Sequence, residues 1–92
     1  MGGFYHPSMT TDTLRKIADI VKGYSDVPLE EINSDGKLNQ DFYIDNNHCI
    51  EALADMETEF GMSLDDIEES FYSGAVTPQQ ISRYIDDRKK AA

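Results

Sequence analysis

His48 and Cys49 stand next to each other, and a thiol beside a general base is the pairing that makes a cysteine nucleophile. Neighbours on a helix diverge by roughly 100°, so these two side chains do not meet if the segment is helical. His6 is the only other histidine and Cys49 the only cysteine. That set does not complete a closed zinc site, which takes four ligands. A single cysteine makes no internal disulfide and fits a reducing compartment. No glycine-rich phosphate loop is present. The chain therefore reads as having no catalytic residues.

A second pattern suggests calcium. From Glu31 the chain runs E-I-N-S-D-G-K-L-N-Q-D-F, which puts Glu31, Asn33, Asp35, Gly36, Leu38 and Asn39 at positions 1, 3, 5, 6, 8 and 9 of an EF-hand loop. Position 12, which must supply a bidentate carboxylate, is Phe42. Position 1 is Glu rather than Asp, and there is only one such loop. Asn, Asp and Gly also suit any tight turn. No metal is expected, and calcium at Glu31, Asn33 and Asp35 is kept as the alternative.

Four helices must position these residues. Leu14, Ile17, Ala18, Val21 and Tyr24 recur at three- and four-residue steps and predict a first helix over Asp12–Tyr24, ended by Gly23 or by Ser25 and Asp26 before Pro28. Residues 25–44 lack sustained periodicity, and a connection this long is more often functional or self-packed. Val27, Leu29, Ile32, Leu38 and Phe42 are read as pins tying it to the core. A second helix starts at Asp45 or Asn46, with Ile50, Leu53, Met56 and Phe60 inward, Glu51, Asp55, Glu57 and Glu59 outward or flanking, and Gly61 as its stop. Ser63 and Asp66 suggest a cap for a short third helix with Leu64, Ile67 and Phe71 buried, broken at Ser73-Gly74. Thr77-Pro78-Gln79-Gln80 starts a fourth helix with Ile81, Tyr84 and Ile85 inward and Arg88, Lys89 and Lys90 at its C-terminal end. Met56, Met62, Phe60, Phe71, Tyr72 and Tyr84 offer the surface of an apolar ligand pocket, but at this spacing they read as core.

Charge is segregated along the chain. Between Leu38 and Ser82 lie ten acids and no Lys or Arg, and this block holds the whole net charge of −10. Nucleic acid and anionic membrane surfaces should be repelled, and basic protein surfaces attracted. Ordinary solvated faces mix both signs, so the acidic second helix reads as a docking face. No apolar run approaches the roughly 18 residues that span a bilayer. No signal peptide is visible, and the opening M-G-G-F-Y-H has His6 where a myristoylation signal needs Ser or Thr. The expectation is a cytoplasmic monomer with a flexible lead-in at 1–9 and one helical domain at 10–90.

The order helix, long loop, helix, short helix, helix, together with I-N-S-D-G-K-L-N-Q-D-F-Y-I-D-N-N-H-C-I-E-A-L and then A-D-M-E-T-E-F-G, resembles the acyl carrier proteins. In that family a pattern close to I-T-x-x-x-x-F-x-E-D-L-G-x-D-S-L precedes an acidic second helix ending near E-x-E-F. Ile32, Leu38, Gln40, Asp41, Phe42, Ile44, Asp45, Ile50, Glu51, Glu57, Glu59 and Phe60 fall in register, and T-P-Q-Q-I-S-R-Y-I resembles the family's T-V-x-x-x-x-x-Y-I. The resemblance spans about residues 12–88. It implies an all-α four-helix bundle of acyl-carrier type, and a second helix that docks through Asp45, Asn46, Glu51, Asp55, Met56 and Glu57.

The resemblance also implies a 4′-phosphopantetheine arm on the D-S-L serine, and here the sequence departs. That position is Asn46, whose amide is no nucleophile; Asn47 replaces the leucine and Tyr43 the glycine. Asn46 could still cap the helix as serine would. Ser25, Ser34, Ser63, Ser70 and Ser73 lie outside any D-S-L context. The expectation is a non-enzymatic binding module in or beside fatty-acid, lipid or polyketide metabolism, without a covalent cofactor. The alternatives are an orthodox carrier primed at another serine, or the calcium module.

Overall fold

The computed structural model describes residues 4–91. Helix α1 spans Asp12–Lys22 and buries Leu14, Ile17, Ala18 and Val21. Thr11 caps it, its Oγ1 accepting the Leu14 N–H at 3.2 Å. At Gly23 the chain leaves the helix, its N–H shared between Ile20 O and Asp19 O. Helix α2 spans Asn46–Phe60 and ends at Gly61 in the left-handed conformation. Helix α3 is a single short piece, Glu68–Ser73, entered through a 3₁₀ turn over Asp65–Ile67. Helix α4 spans Pro78–Ala91. The capping box read from the sequence is formed in both directions: Gln80 N–H to Thr77 Oγ1 at 3.2 Å, and Thr77 N–H to Gln80 Oε1 at 3.0 Å. At Ser63 the bond differs from expectation, since its Oγ accepts from Asp65 N–H and not from Asp66.

Helix α1 packs on α2 and α4, and α3 packs on α2. The described residues form helices and the loops between them and contain no strand. One core joins α1 (Ile17, Val21), the loop (Ile32, Leu38, Phe42, Ile44), α2 (Ala52, Met56), Phe71 of α3 and α4 (Ile81, Ile85). Thr13 and Ser82, both buried, donate to the half-buried Asp86 and link α1 to α4 without an orphaned hydroxyl.

The connection from Ser25 to Asp45 is folded into the core. Ile32 and Leu38 are fully buried and Phe42 and Ile44 nearly so, while Val27 and Leu29 pack on the same core half-buried. A buried loop must find partners for its polar backbone. Leu38 N–H bonds Val76 O and Asn39 N–H bonds Gly74 O, so the loop pairs with the α3–α4 connection. Asn39 Nδ2 donates to Ile44 O at 2.8 Å, and Ser25 Oγ to Phe42 O at 2.7 Å. Two glycines permit this closeness. A Cβ on Gly36 would overlap the Phe42 ring; one on Gly74, held at φ +73°, would overlap Asn39.

Three expectations change here. Residues 4–9 are not a loose lead-in: Met9 is 2% exposed, Tyr5 OH donates to Asp19, and Ser8 Oγ accepts the Ser34 N–H at 2.8 Å. The rest of the lead-in, residues 1–3, lies outside the described residues. Ile50 is 42% exposed rather than inward. The inner stripe of α2 is Cys49, Ala52, Leu53 and Met56, because small Cys49 and Ala52 let the helix approach closely and Ile44 fills the core at its mouth. Glu57 is not a merely solvated acid: it is half-buried and its Oε2 accepts the Leu64 N–H at 2.8 Å, bracing the α2–α3 turn.

Chemical denaturation checks this packing. Gly36→Ala must push Phe42 out of place, and overpacking of this kind costs about 1–3 kcal/mol. Glu57→Ala orphans the Leu64 N–H and should lose about 1 kcal/mol. A Glu57→Ala protein as stable as wild type would show the turn to be braced by other contacts.

Candidate functional site

The mouth of α2 and the loop that feeds it carry the residues singled out from the sequence. Asp45 is the N-cap: its Oδ1 accepts the His48 N–H at 2.8 Å. Asn46 is therefore the first residue inside the helix and does not cap it, which corrects the expectation that it would stand in for a capping serine. The carboxylate of Asp45 only accepts, so His48 Nδ1 is the donor of their 2.9 Å bond. The backbone and ring bonds from His48 hold the Asp45 carboxyl below its ordinary range.

Around the helix, Asn46, Asn47, Ile50, Glu51, Ala54 and Asp55 face outward. Tyr24 reaches over from the end of α1 and donates its hydroxyl to Asp55. That bond, with partial burial, pushes the Tyr24 phenol up to about 12. Of the residues expected to dock a partner, Asp45, Asn46, Glu51 and Asp55 share this exposed side. Met56 does not: it is fully buried and can offer no apolar contact. Glu57 faces the α2–α3 turn. The apolar contacts on the exposed side are Ile50 and Tyr43, the latter 79% exposed.

Tyr43 was missed by residue-by-residue reading. It is the one non-glycine residue with positive φ among the described residues, at +59°, and such a residue is uncommon. A signal existed, because Tyr43 occupies the glycine position of the acyl-carrier pattern. The backbone at Tyr43 is left-handed, with its aromatic side chain standing in solvent.

Electrostatically the molecule has two sides. Helices α1 and α4 carry seven of the eight bases and four acids. Residues 23–77 carry the other fourteen acids and Lys37 alone. Three of those fourteen are paired among the described residues: Glu59 with Lys16, Asp66 with Arg88, and Asp45 with the His48 imidazole. On the exposed side of α2, Asp55 accepts the Tyr24 hydroxyl and Glu51 has no ion-pair partner among the described residues.

The calcium alternative rests on Glu31, Asn33 and Asp35. Asn33 Oδ1 already accepts the Asp35 N–H, and Phe42, at position 12, is buried. Among the described residues no group of three or more His, Cys, Asp and Glu side chains converges on a point. The candidate serines are also placed. Ser25 and Ser34 are buried, Ser70 is half-buried, and Ser63 and Ser73 are exposed but spend their hydroxyls on local turns. Cys49 is buried with Sγ toward Ile44 O, and burial, with the Asp45 charge nearby, pushes its thiol up to about 11. Among the described residues no helix is long and apolar enough to cross a membrane.

Compared with protein-family models, curated proteins and solved structures, the chain matches none.

Cys49 gives a pH test with a definite sign. Its folded pKa is raised, so its contribution to stability is complete below the unfolded thiol's value, near 9, and is lost as pH rises toward about 11. Unfolding midpoints in denaturant should fall as pH rises past about 9, and Cys49→Ala should flatten that fall. Native protein at neutral pH should resist a maleimide that labels it at once in denaturant. Rapid native labelling would place the thiol at the surface.

Proposed function

We propose that this chain is a non-enzymatic, acyl-carrier-like binding module acting in or beside fatty-acid, lipid or polyketide metabolism. Its partners are basic surfaces on acyl-handling or regulatory proteins. The observation that carries the proposal is the exposed side of α2, where Asp45, Glu51 and Asp55 surround Asn46, Asn47 and Ile50 with no lysine or arginine among them. A face of one sign attracts and orients a partner of the other sign over a distance of about 10 Å at 0.1 M salt. Exposed Ile50 and Tyr43 give the encounter something to bury. The four-helix order and the register of the loop and α2 with the acyl-carrier pattern support the metabolic setting.

The residues at the attachment position do not fit a phosphopantetheine arm. Asn46 is exposed and in place, but its amide nitrogen is delocalised into the carbonyl and forms no phosphodiester. The two buried serines of the loop are closed to a modifying enzyme. We therefore read binding, without covalent transfer, as the activity of the module.

Intact mass spectrometry after incubation with coenzyme A and a broad-specificity phosphopantetheinyl transferase should show no gain. A gain of one phosphopantetheine would overturn this reading and point to priming on a serine. Docking is tested with a helical peptide bearing Lys and Arg along one side, followed by fluorescence anisotropy. Neutralising Glu51 and Asp55 (to Gln and Asn) should weaken binding by roughly two- to fivefold per charge. Raising salt from about 0.05 to about 0.5 M should weaken it further. Equal affinity of wild type and the double variant would remove α2 as the docking face.

A further inference from the structure

Residues 6–9 make a tight turn. Met9 N–H bonds His6 O at 2.8 Å, and Pro7 fills the turn position that proline favours. Inside the turn, His6 Nδ1 accepts the Ser8 N–H at 3.0 Å and lies 2.9 Å from Ser8 Oγ. That oxygen accepts the N–H of Ser34, which is buried in the loop between α1 and α2. We propose that this turn is an acid-sensitive latch: neutral His6 holds the N-terminal segment on the loop, and protonated His6 releases it. The inference goes beyond the docking reading and does not depend on it.

The sign follows from donors and acceptors alone. A backbone N–H only donates, so Nδ1 is an unprotonated acceptor and the neutral ring carries its hydrogen on Nε2. The Ser8 hydroxyl gives its hydrogen to the same nitrogen and keeps its lone pairs for Ser34. Every polar group of the latch then has a partner. An imidazolium carries hydrogen on both nitrogens and accepts from nothing. Protonation therefore sets Nδ1–H against the Ser8 N–H and leaves that amide unpaired. The charged ring can donate to Ser8 Oγ, but the oxygen must then accept from the ring and Ser34 together, with its own hydrogen turned away. Histidine is the side chain whose charge ordinarily changes between pH 5 and 8. The latch is closed at neutral pH and above, and is lost as pH falls through that range.

No surrounding charge offsets this loss. On α1 the segment meets Asp19, which accepts from Tyr5 OH, and Arg15, whose Nε donates to Met9 O, one group of each sign. On the loop it meets Ser34, followed by the exposed Asp35. From α4 the latch meets uncharged Gln79, whose N–H bonds Ser34 O at 2.9 Å. His6 has no ion-pair partner among the described residues. Ser34 thus joins the N-terminal segment, the loop and the first turn of α4, and opening the latch loosens that junction.

Amide hydrogen exchange on the full chain tests this at about pH 7.5 and about pH 5.5, on either side of the ordinary histidine range. Each amide is expressed as a protection factor, so that the intrinsic pH dependence of exchange cancels. Ser34 should lose about three- to tenfold in protection at the lower pH, the loss of roughly one hydrogen bond. Met9 should follow it, while Leu53 and Ile85 inside α2 and α4 keep theirs. An asparagine side chain accepts the N–H two residues on and does not titrate, so His6→Asn should hold Ser34 protection at both values. His6→Ala has no acceptor and should be poorly protected at both. His48→Gln should show the wild-type acid loss. In wild type, the Ser34 amide shift should titrate with the His6 ring.

Equal Ser34 protection at the two pH values would overturn the latch, as would an acid loss in His6→Asn equal to that of wild type. So would a His6→Ala protein protected like wild type. An acid loss that disappears in His48→Gln would move the proton to the mouth of α2 and overturn it too. Simultaneous loss at Leu53 and Ile85 would replace segment release with general acid unfolding. A Ser34 midpoint that departs from that of the His6 ring would sink the proposal whatever the variants do.

Discussion

Everything near the mouth of α2 depends on how the connection from Ser25 to Asp45 satisfies its own backbone while lying in the core. Leu38, Phe42 and Ile44 draw it inward, but their peptide groups would be costly if left dry. The answer is a short pairing with the α3–α4 connection, Leu38 to Val76 and Asn39 to Gly74, closed on the other side by Ile44 N–H to Leu38 O. Ser34 extends the network, giving its carbonyl to Gln79 in the first turn of α4 and its N–H to Ser8. The loop thus caps one helix, receives the N-terminal segment and sets the direction of α2. The Cα radius of gyration of 12.0 Å is that of a fully compact chain of this length, about 12 Å. The acid-rich stretch is therefore held in despite its charge.

That network explains what was legible in the sequence. Elements whose signals are local were readable: the first helix from its apolar spacing, the fourth from Thr77-Pro78-Gln79-Gln80, the stops at Gly61 and Gly74, and the loop pins. What was misread depended on partners distant in sequence. Ile50 is apolar at a helical step from Leu53 and Met56, yet Ile44 takes the core space at that end and Ile50 turns outward. Met56 was placed in the core and also given to partners, and it cannot serve both. Glu57 looked like one more surface acid because its acceptor role belongs to Leu64, seven residues on. Residues 4–9 show no periodicity, and their fixation rests on Ser34 and Asp19, invisible to any local pattern.

The candidate site was legible in charge and poorly legible in shape. Counting acids located the negative side. The division between α1/α4 and the rest appears only when the chain is folded, because the bases at the two ends of the sequence come together when α1 packs on α4. The result is a dipolar particle rather than a uniformly acidic one. The field of such a particle attracts positive charge to the side bearing α2 and the loop, away from α1 and α4. Arg88 and Lys16 tether Asp66 and Glu59 at the seam between the two sides, so the free acids concentrate around the mouth of α2 and in the loop.

Tyr43 joins the fold to this electrostatic picture. A tyrosine at φ +59° carries a backbone penalty of order 1 kcal/mol that glycine would avoid. Neither core packing nor a hydrogen bond of its hydroxyl among the described residues offsets it, because the side chain stands in solvent. The neighbours that fix the left-handed turn do so for their own reasons: Phe42 and Ile44 on either side are buried, and their side chains must both point inward across one intervening residue. Whatever occupies position 43 is consequently driven outward, next to the negative mouth of α2. Glycine there would keep the turn and leave the surface flat. Tyrosine keeps the same turn and presents an aromatic face at the place where the charge of the molecule would bring a basic partner.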